Sequence, residues 1–155
     1  MKSIMETLAA QPIFADIDES TLTLLAGCAR HQRIHAGTRL FTEGAPATDF
    51  HLIREGRVAL GIYTPHAGLV TLETRGPGQI VGWSWLFPPY RWHFDAEALE
   101  PLATIQFDGH CIRGKCDSDP VLGYDLMKRF STLLDADLRS THLRLLDVYH
   151  RAPTS

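Results

Sequence analysis

The sequence is short of basic charge, of cysteine and of long apolar runs, and each shortage removes a class of function. Lysine and arginine number 15 against 18 aspartates and glutamates, for a formal charge of -3, and the pI is near 6.2. A protein that grips a phosphate backbone carries a concentrated positive field, so direct DNA binding by this chain is not expected. The three cysteines, Cys28, Cys111 and Cys116, are an odd number and too few for a disulfide framework, and no leader precedes them. Reduced thiols in a cytoplasmic protein are the expectation. No run of about 18 apolar residues occurs, so no membrane helix is expected.

Catalytic motifs are also missing. Ser84 lies in Gly-Trp-Ser-Trp-Leu, which lacks the second glycine of a nucleophile elbow. Eight histidines are present, but no His-x-His is followed by a nearby Glu, the spacing that gathers ligands on one ion inside a small barrel. His31 and His35 stand at the entry of a strand, away from any interior site. The chain is read as no enzyme and as holding no metal. In His-Cys-Ile-Arg-Gly-Lys-Cys, Arg113 and Lys115 lie between Cys111 and Cys116; neighbouring positive charge lowers a thiol pKa, which leaves a redox pair open beside the plainer reading of two semi-buried cysteines.

What is present is enough for one domain. A chain of 155 residues that is 45% hydrophobic buries a core without staples. Ile4, Met5 and Leu8 have helical spacing before Pro12 breaks the run, and Asp18-Glu19-Ser20 opens a second helix through Leu22, Leu24, Leu25, Ala26 and Ala29 that is expected to end near Arg30. From Arg33 to Phe107, short β-branched and apolar runs are cut by glycine turns, with room for seven or eight strands. Phe50 and Leu52 before Glu55-Gly56, and Val58, Leu60 and Ile62 after it, read as a hairpin.

After Asp117 the period is helical to about His150, with Asp117, Ser118 or Asp119 as cap and Pro120 in the first turn. Leu126, Met127, Phe130 and Leu133 form a face toward the barrel. Leu134, Leu138, Thr141, Leu145 and Val148 step by four, three, four and three, the seam of a two-stranded coiled coil; the alternative is that this stripe packs on the chain's own barrel.

The stretch Pro77 to Glu100 organises the rest. It holds all three tryptophans, Trp83, Trp85 and Trp92, among glycines and prolines, with Gly82, Ser84, Arg91, His93 and Asp95 available to a small ligand. His93 and Asp95 alternate, so on a strand they form either a His–carboxylate pair or a solvated edge. The tryptophans either fill the space or cage a flat ligand.

The strings PIFADIDESTLTLLA, HAGTRLFTEGAPATDFHLIREGRVAL, GPGQIVG and LLDV, in this order, resemble the cyclic-nucleotide-binding domain of the catabolite activator (Crp/Fnr) regulators. The resemblance implies a mainly β fold with flanking helices: a short helical lead, an eight-stranded β-roll of the jelly-roll type and a long C-terminal helix that pairs two subunits. On this basis residues 1–116 form the roll with its lead, 117–150 the helix and 151–155 a tail, with no helix-turn-helix unit. In the family a short cassette helix follows a Gly-Glu pair; the Glu accepts from the ribose 2′-hydroxyl and a later Arg neutralises the cyclic phosphate. Gly82 stands at the family's glycine. Trp83 replaces the Glu, and counting back from Ala98-Leu99-Glu100 puts the Arg position at Trp92, with Arg91 one residue away.

The functional reading is a stand-alone regulatory sensor that signals through an unidentified partner protein and forms a homodimer through its last helix. The ligand-binding candidates are Gly82, Trp83, Ser84, Arg91, Trp92, His93, Asp137 and Thr141, the last two closing from the helix. The ligand is left open: a cyclic nucleotide, another small molecule, haem with His93 as axial ligand, or none, the last making the chain a degenerate dimeric scaffold.

Overall fold

The computed structural model describes residues 3–151. Helix α1 (Ile4–Ala9) starts where the Ser3 hydroxyl accepts from the Glu6 amide at 3.1 Å, and a 3-10 turn at Pro12–Phe14 ends the lead. Helix α2 (Glu19–Gly27) buries Leu22 and Leu25. Eight strands follow: β1 (Ala29–Ile34), β2 (Arg39–Phe41), β3 (Asp49–Glu55), β4 (Val58–Thr64), β5 (Gly68–Arg75), β6 (Ile80–Val81), β7 (Asp95–Ala98) and β8 (Leu102–Asp108). Helix α3 (Gly109–Ser118) leads to the long α4 (Pro120–Arg151).

The strands form two four-stranded antiparallel sheets, ordered β1-β8-β3-β6 and β2-β7-β4-β5. This is the expected β-roll with a long C-terminal helix. Two expectations along the strands are corrected. The Glu55-Gly56 turn is not a hairpin: β3 pairs with β8 and β6, whereas β4 pairs with β5 and β7. The chain changes sheets at Gly56, whose φ is +92° and whose missing Cβ would stand 2.5 Å from the Pro101 carbonyl oxygen. Alternation on both sides of a turn cannot distinguish a hairpin from a crossing. The first strand also begins at Ala29, four residues ahead of Arg33, because Arg30, His31, Gln32 and Arg33 are polar in succession and no β1 residue is fully buried, so no apolar alternation marks its start.

The outer face of the first sheet meets the helices through aromatic rings. Phe50 stacks on Trp85 and Phe107 at 4.5 and 4.6 Å, and the Phe130 ring of α4 meets Phe50, Trp85 and Phe14 edge-on. Leu122, Leu126 and Phe130 are buried, at about 1.5–3 kcal/mol of transfer free energy each. Asp119 caps α4, its Oδ1 accepting from the Leu122 amide at 3.2 Å. Met127 and Leu133 complete the expected barrel-facing side. Beyond Asp137 the helix is exposed.

The cysteine expectation is overturned: Cys28 and Cys111 form a disulfide across 83 residues of sequence. Pairing of β1 with β8 brings the end of α2 beside the start of α3, a contact that no local spacing announces. Cys116 is the free thiol. Burial and then Asp117 and Asp119 push its pKa up, against the lowering expected from Arg113 and Lys115. No helix among the described residues is long and apolar enough to cross a membrane.

Candidate functional site

The site begins where β6 ends. Gly82 has φ of +100°, and a Cβ there would lie 2.6 Å from the Trp92 Cη2 atom. Both the backbone and the neighbouring indole therefore demand glycine. From Trp83 onward the chain makes successive turns, Leu86 N donating to Trp83 O at 3.0 Å and Tyr90 N to Phe87 O at 2.8 Å, through a cis Pro88–Pro89 bond. The short cassette helix that the family resemblance implies is absent, and with it a helix N-terminus to receive phosphate.

Two of the three indoles fill space. Trp92 is 4% exposed and stacks on Phe41, centroids 3.7 Å apart and planes 9° from parallel. Trp85 is fully buried, its Nε1 donating to the Gly82 carbonyl at 3.1 Å. Trp83 acts differently. Its Nε1 donates to Asp137 Oδ2 at 3.3 Å and its ring meets Phe130 edge-on, so the residue at the family's sugar-binding position reaches α4 instead.

An ion-pair chain extends that tie. Arg75 spans Glu73 at 2.6 Å and Asp137 at 2.9 Å, while Glu73 also takes Arg144 at 2.7 Å. Glu73 and Arg75 share a face because they lie two apart on β5; Asp137 and Arg144 share one because they lie two turns apart on α4. Those spacings were visible in the sequence, but only the fold brings strand and helix together. Phe41, likewise unanticipated, sits in a three-residue strand too short for a period to show.

Beside Gly82 about 210 Å³ remains open, bounded by Phe41, Trp83, Ser84, Trp92, His93 and Phe94 among others. Leu60, Glu73 and Phe94 also border an apolar cleft of about 440 Å³ that continues to Leu72, Thr141, Leu145 and Val148. Gly82, Trp83, Ser84, Trp92 and His93 thus come together, with Asp137 bonded to the group and Thr141 in the adjoining cleft. Arg91 does not join them: it is exposed and donates to the Gly44 carbonyl at 2.9 Å. His93 and Asp95 fit neither alternative as a unit, because β7 starts only at Asp95, with His93 exposed and Asp95 buried. Asp95 accepts from the Glu43 and Tyr63 amides at 2.8 and 3.0 Å, tying the start of β7 to β4 and to the segment after β2. The arginine that lines the cavity, Arg75, already meets two carboxylates.

Solved structures carry the same fold. A protein of Geobacter metallireducens named for cyclic-nucleotide binding is 27% identical, with a TM-score of 0.78 over 89% of this chain and 99% of that one. A cyclic nucleotide-binding domain from Methylobacillus flagellatus is 23% identical, with a TM-score of 0.77 over 94% and 82%. The catabolite activator protein of Thermus thermophilus is 21% identical, with a TM-score of 0.66 over 90% of this chain and 63% of that one. None of the curated proteins matches the sequence. The cyclic nucleotide-binding domain model matches residues 31–119, from β1 through α3, and the chain belongs to that family.

Proposed function

We propose that this chain is a regulatory module of the cyclic nucleotide-binding family that has given up its nucleotide, seats its long helix with its own side chains, and acts as a homodimer on a partner protein. The observation that carries the reading is Trp92. It stands where the phosphate-binding arginine is expected and lies buried against Phe41 over Gly82, so an anionic ring phosphate meets apolar mass in place of a cation. At the sugar position Trp83 offers a donor already used by Asp137. Linking roll to helix, the work that a ligand performs when it selects one of two seatings, falls to Trp83, Arg75 and Asp137.

A second reading rests on the apolar cleft between Leu72, Phe94 and the α4 residues Leu145 and Val148: a largely apolar small molecule entering there. Thermal shift distinguishes these readings from nucleotide sensing. A ligand at a hundredfold excess over its dissociation constant adds about 2.7 kcal/mol, a shift of several degrees. Cyclic AMP, cyclic GMP and haem are expected to move the midpoint of the folded protein by less than a degree at millimolar nucleotide or micromolar haem. A saturable shift with either nucleotide would overturn the proposal.

A further inference from the structure

The disulfide has no part in the cassette, yet the helix that carries it touches both the cassette and α4. Cys28 is the residue that ends α2, and Cys111 lies in the first turn of α3, where the Asp108 carboxylate accepts its amide at 3.1 Å. Along α3, Arg113 donates to the Trp85 carbonyl and its guanidinium lies 4.0 Å above the Tyr90 ring. One turn further, Cys116 packs against Gly123 of α4, where a Cβ would stand 3.0 Å from the Cys116 carbonyl oxygen. One short helix is thus bolted to α2 at its start, to the cassette at its middle and to α4 at its end.

The bond is also reachable. Cys28 and Cys111 both line a cleft of about 490 Å³ whose other walls include Arg30, Asp49, Gln106 and Asp108. Cys111 is half-buried and Cys28 buried, and because Arg30 in the cleft is set against the carboxylates of Asp49 and Asp108, access and not charge admits an attacking thiolate. Structural disulfides that resist exchange are shielded from attack, whereas exposed ones are the labile class.

We propose that Cys28–Cys111 is a reversible thiol–disulfide site, read through α3 by the cassette and α4. The reacting partner is a dithiol. Its thiolate attacks the Cys111 sulfur, forming a mixed disulfide as the Cys28–Cys111 bond breaks, and the Cys28 thiolate takes up a proton. The second thiol of the partner then attacks its own sulfur in the mixed disulfide and releases Cys111, which is protonated in turn. Two electrons pass from the dithiol to the protein, and the partner leaves as its disulfide. The reverse exchange with a small disulfide such as oxidised glutathione closes the cycle. The inference stands whatever occupies the cassette.

The test equilibrates the full chain in glutathione buffers of graded ratio, traps free thiols with a maleimide, maps the peptides by mass spectrometry and follows amide hydrogen exchange in both states. The expected result is a Cys28–Cys111 peptide that forms and disappears reversibly with the ratio, with exchange in residues 109–118 and 83–92 at least tenfold faster in the reduced state. Cys116→Ser is expected to keep this response, and Cys28→Ser to show the fast exchange at every ratio. Should Cys28→Ser fail to fold, the wild-type comparison decides by itself. Three outcomes would each overturn the proposal: no linked peptide in oxidised glutathione, a linked peptide that native protein keeps in excess dithiothreitol, or a reduced form whose α3 exchange is unchanged.

Discussion

Trp92 lies parallel to Phe41 with its ring edge in the space that a side chain on Gly82 would need. The relationship makes the three residues one packing unit, so they fail together. Gly82→Ala puts a Cβ against a buried indole at a positive φ and is expected to cost about 1–3 kcal/mol. Trp92→Ala, which empties the cradle, is expected to cost about 3–5 kcal/mol. Denaturant titration measures both. The double variant should fall short of the sum of the two, since the alanine at 82 no longer meets a ring; strict additivity would separate the residues and refute the unit.

Asp137 is the point at which helix α4 is tied to the roll. Its carboxylate accepts from Trp83 and Arg75 at once, and Arg75, only 12% exposed in its side chain, keeps a partner in Glu73 if Asp137 is lost. Asp137→Ala is therefore expected to cost about 1–2 kcal/mol, below the value for stranding a buried charge. Arg144→Ala, at a pair whose arginine side chain is 48% exposed, should cost less than about 1 kcal/mol. The more telling readout is hydrogen exchange, where Asp137→Ala should speed residues 134–145 and leave β3 and β8 untouched. Equal exchange in α4 would show that the apolar face from Leu122 to Leu133 seats the helix without Asp137.

How far the sequence could be read follows from which contacts are local. The roll is legible because glycine turns and two-residue alternation are properties of short segments, and the first helical turns of α4 are legible because Leu126, Met127, Phe130 and Leu133 repeat on one face. Trp83 and Trp92 stand out as departures from a Gly-Glu and Arg pattern, so the altered cradle is visible in advance. The filling of that cradle is not, because Phe41 comes from a strand with no period of its own. The disulfide and the Glu73–Arg75–Asp137 chain are invisible for a further reason: each joins segments more than sixty residues apart, and only strand order places them side by side. Arg91 illustrates the opposite failure. One position of register decides between cavity and solvent, and the Arg91 side chain reaches the Gly44 carbonyl on the exposed side.

The exposed half of α4 carries the proposed dimer. Asp137 and Arg144 face the roll and Thr141, Leu145 and Val148 border the cleft, with Leu145 on the flank next to Leu138 and Tyr149, which do not border it; the relative exposures of Leu138, Leu145 and Tyr149 are 55%, 51% and 78%. The outward seam therefore includes Tyr149, while Thr141 and Val148 shift to its inner flank. Leu138→Glu with Leu145→Glu is expected to convert a sedimenting dimer to monomer with little change in monomer fold, because neither side chain is needed for the core. A wild-type protein that sediments as a monomer at about 100 μM would end the dimer reading outright.

His51 supplies the pH dependence. The residue is 4% exposed, with Nδ1 bonded to the Thr104 hydroxyl at 3.0 Å and Nε2 4.0 Å from Asp49. Burial holds its pKa below 6.5; Asp49 opposes that shift and Arg30 adds to it. In the unfolded chain the imidazole binds its proton near pH 6.5, whereas the folded chain takes it up only at lower pH. Between those two values the unfolded state carries more protons, so stability rises with pH there and is lost as pH falls. Each pH unit inside the window costs up to about 1.4 kcal/mol, and the loss ends once the folded ring is protonated too. Thermal midpoints of wild type and His51→Gln should therefore differ by a constant amount above pH 7.5 and converge as pH drops below 6.5, because glutamine has no proton to gain. Parallel curves from pH 8 to pH 5 would mean that His51 titrates alike in both states, and the buried neutral ring would have to be abandoned.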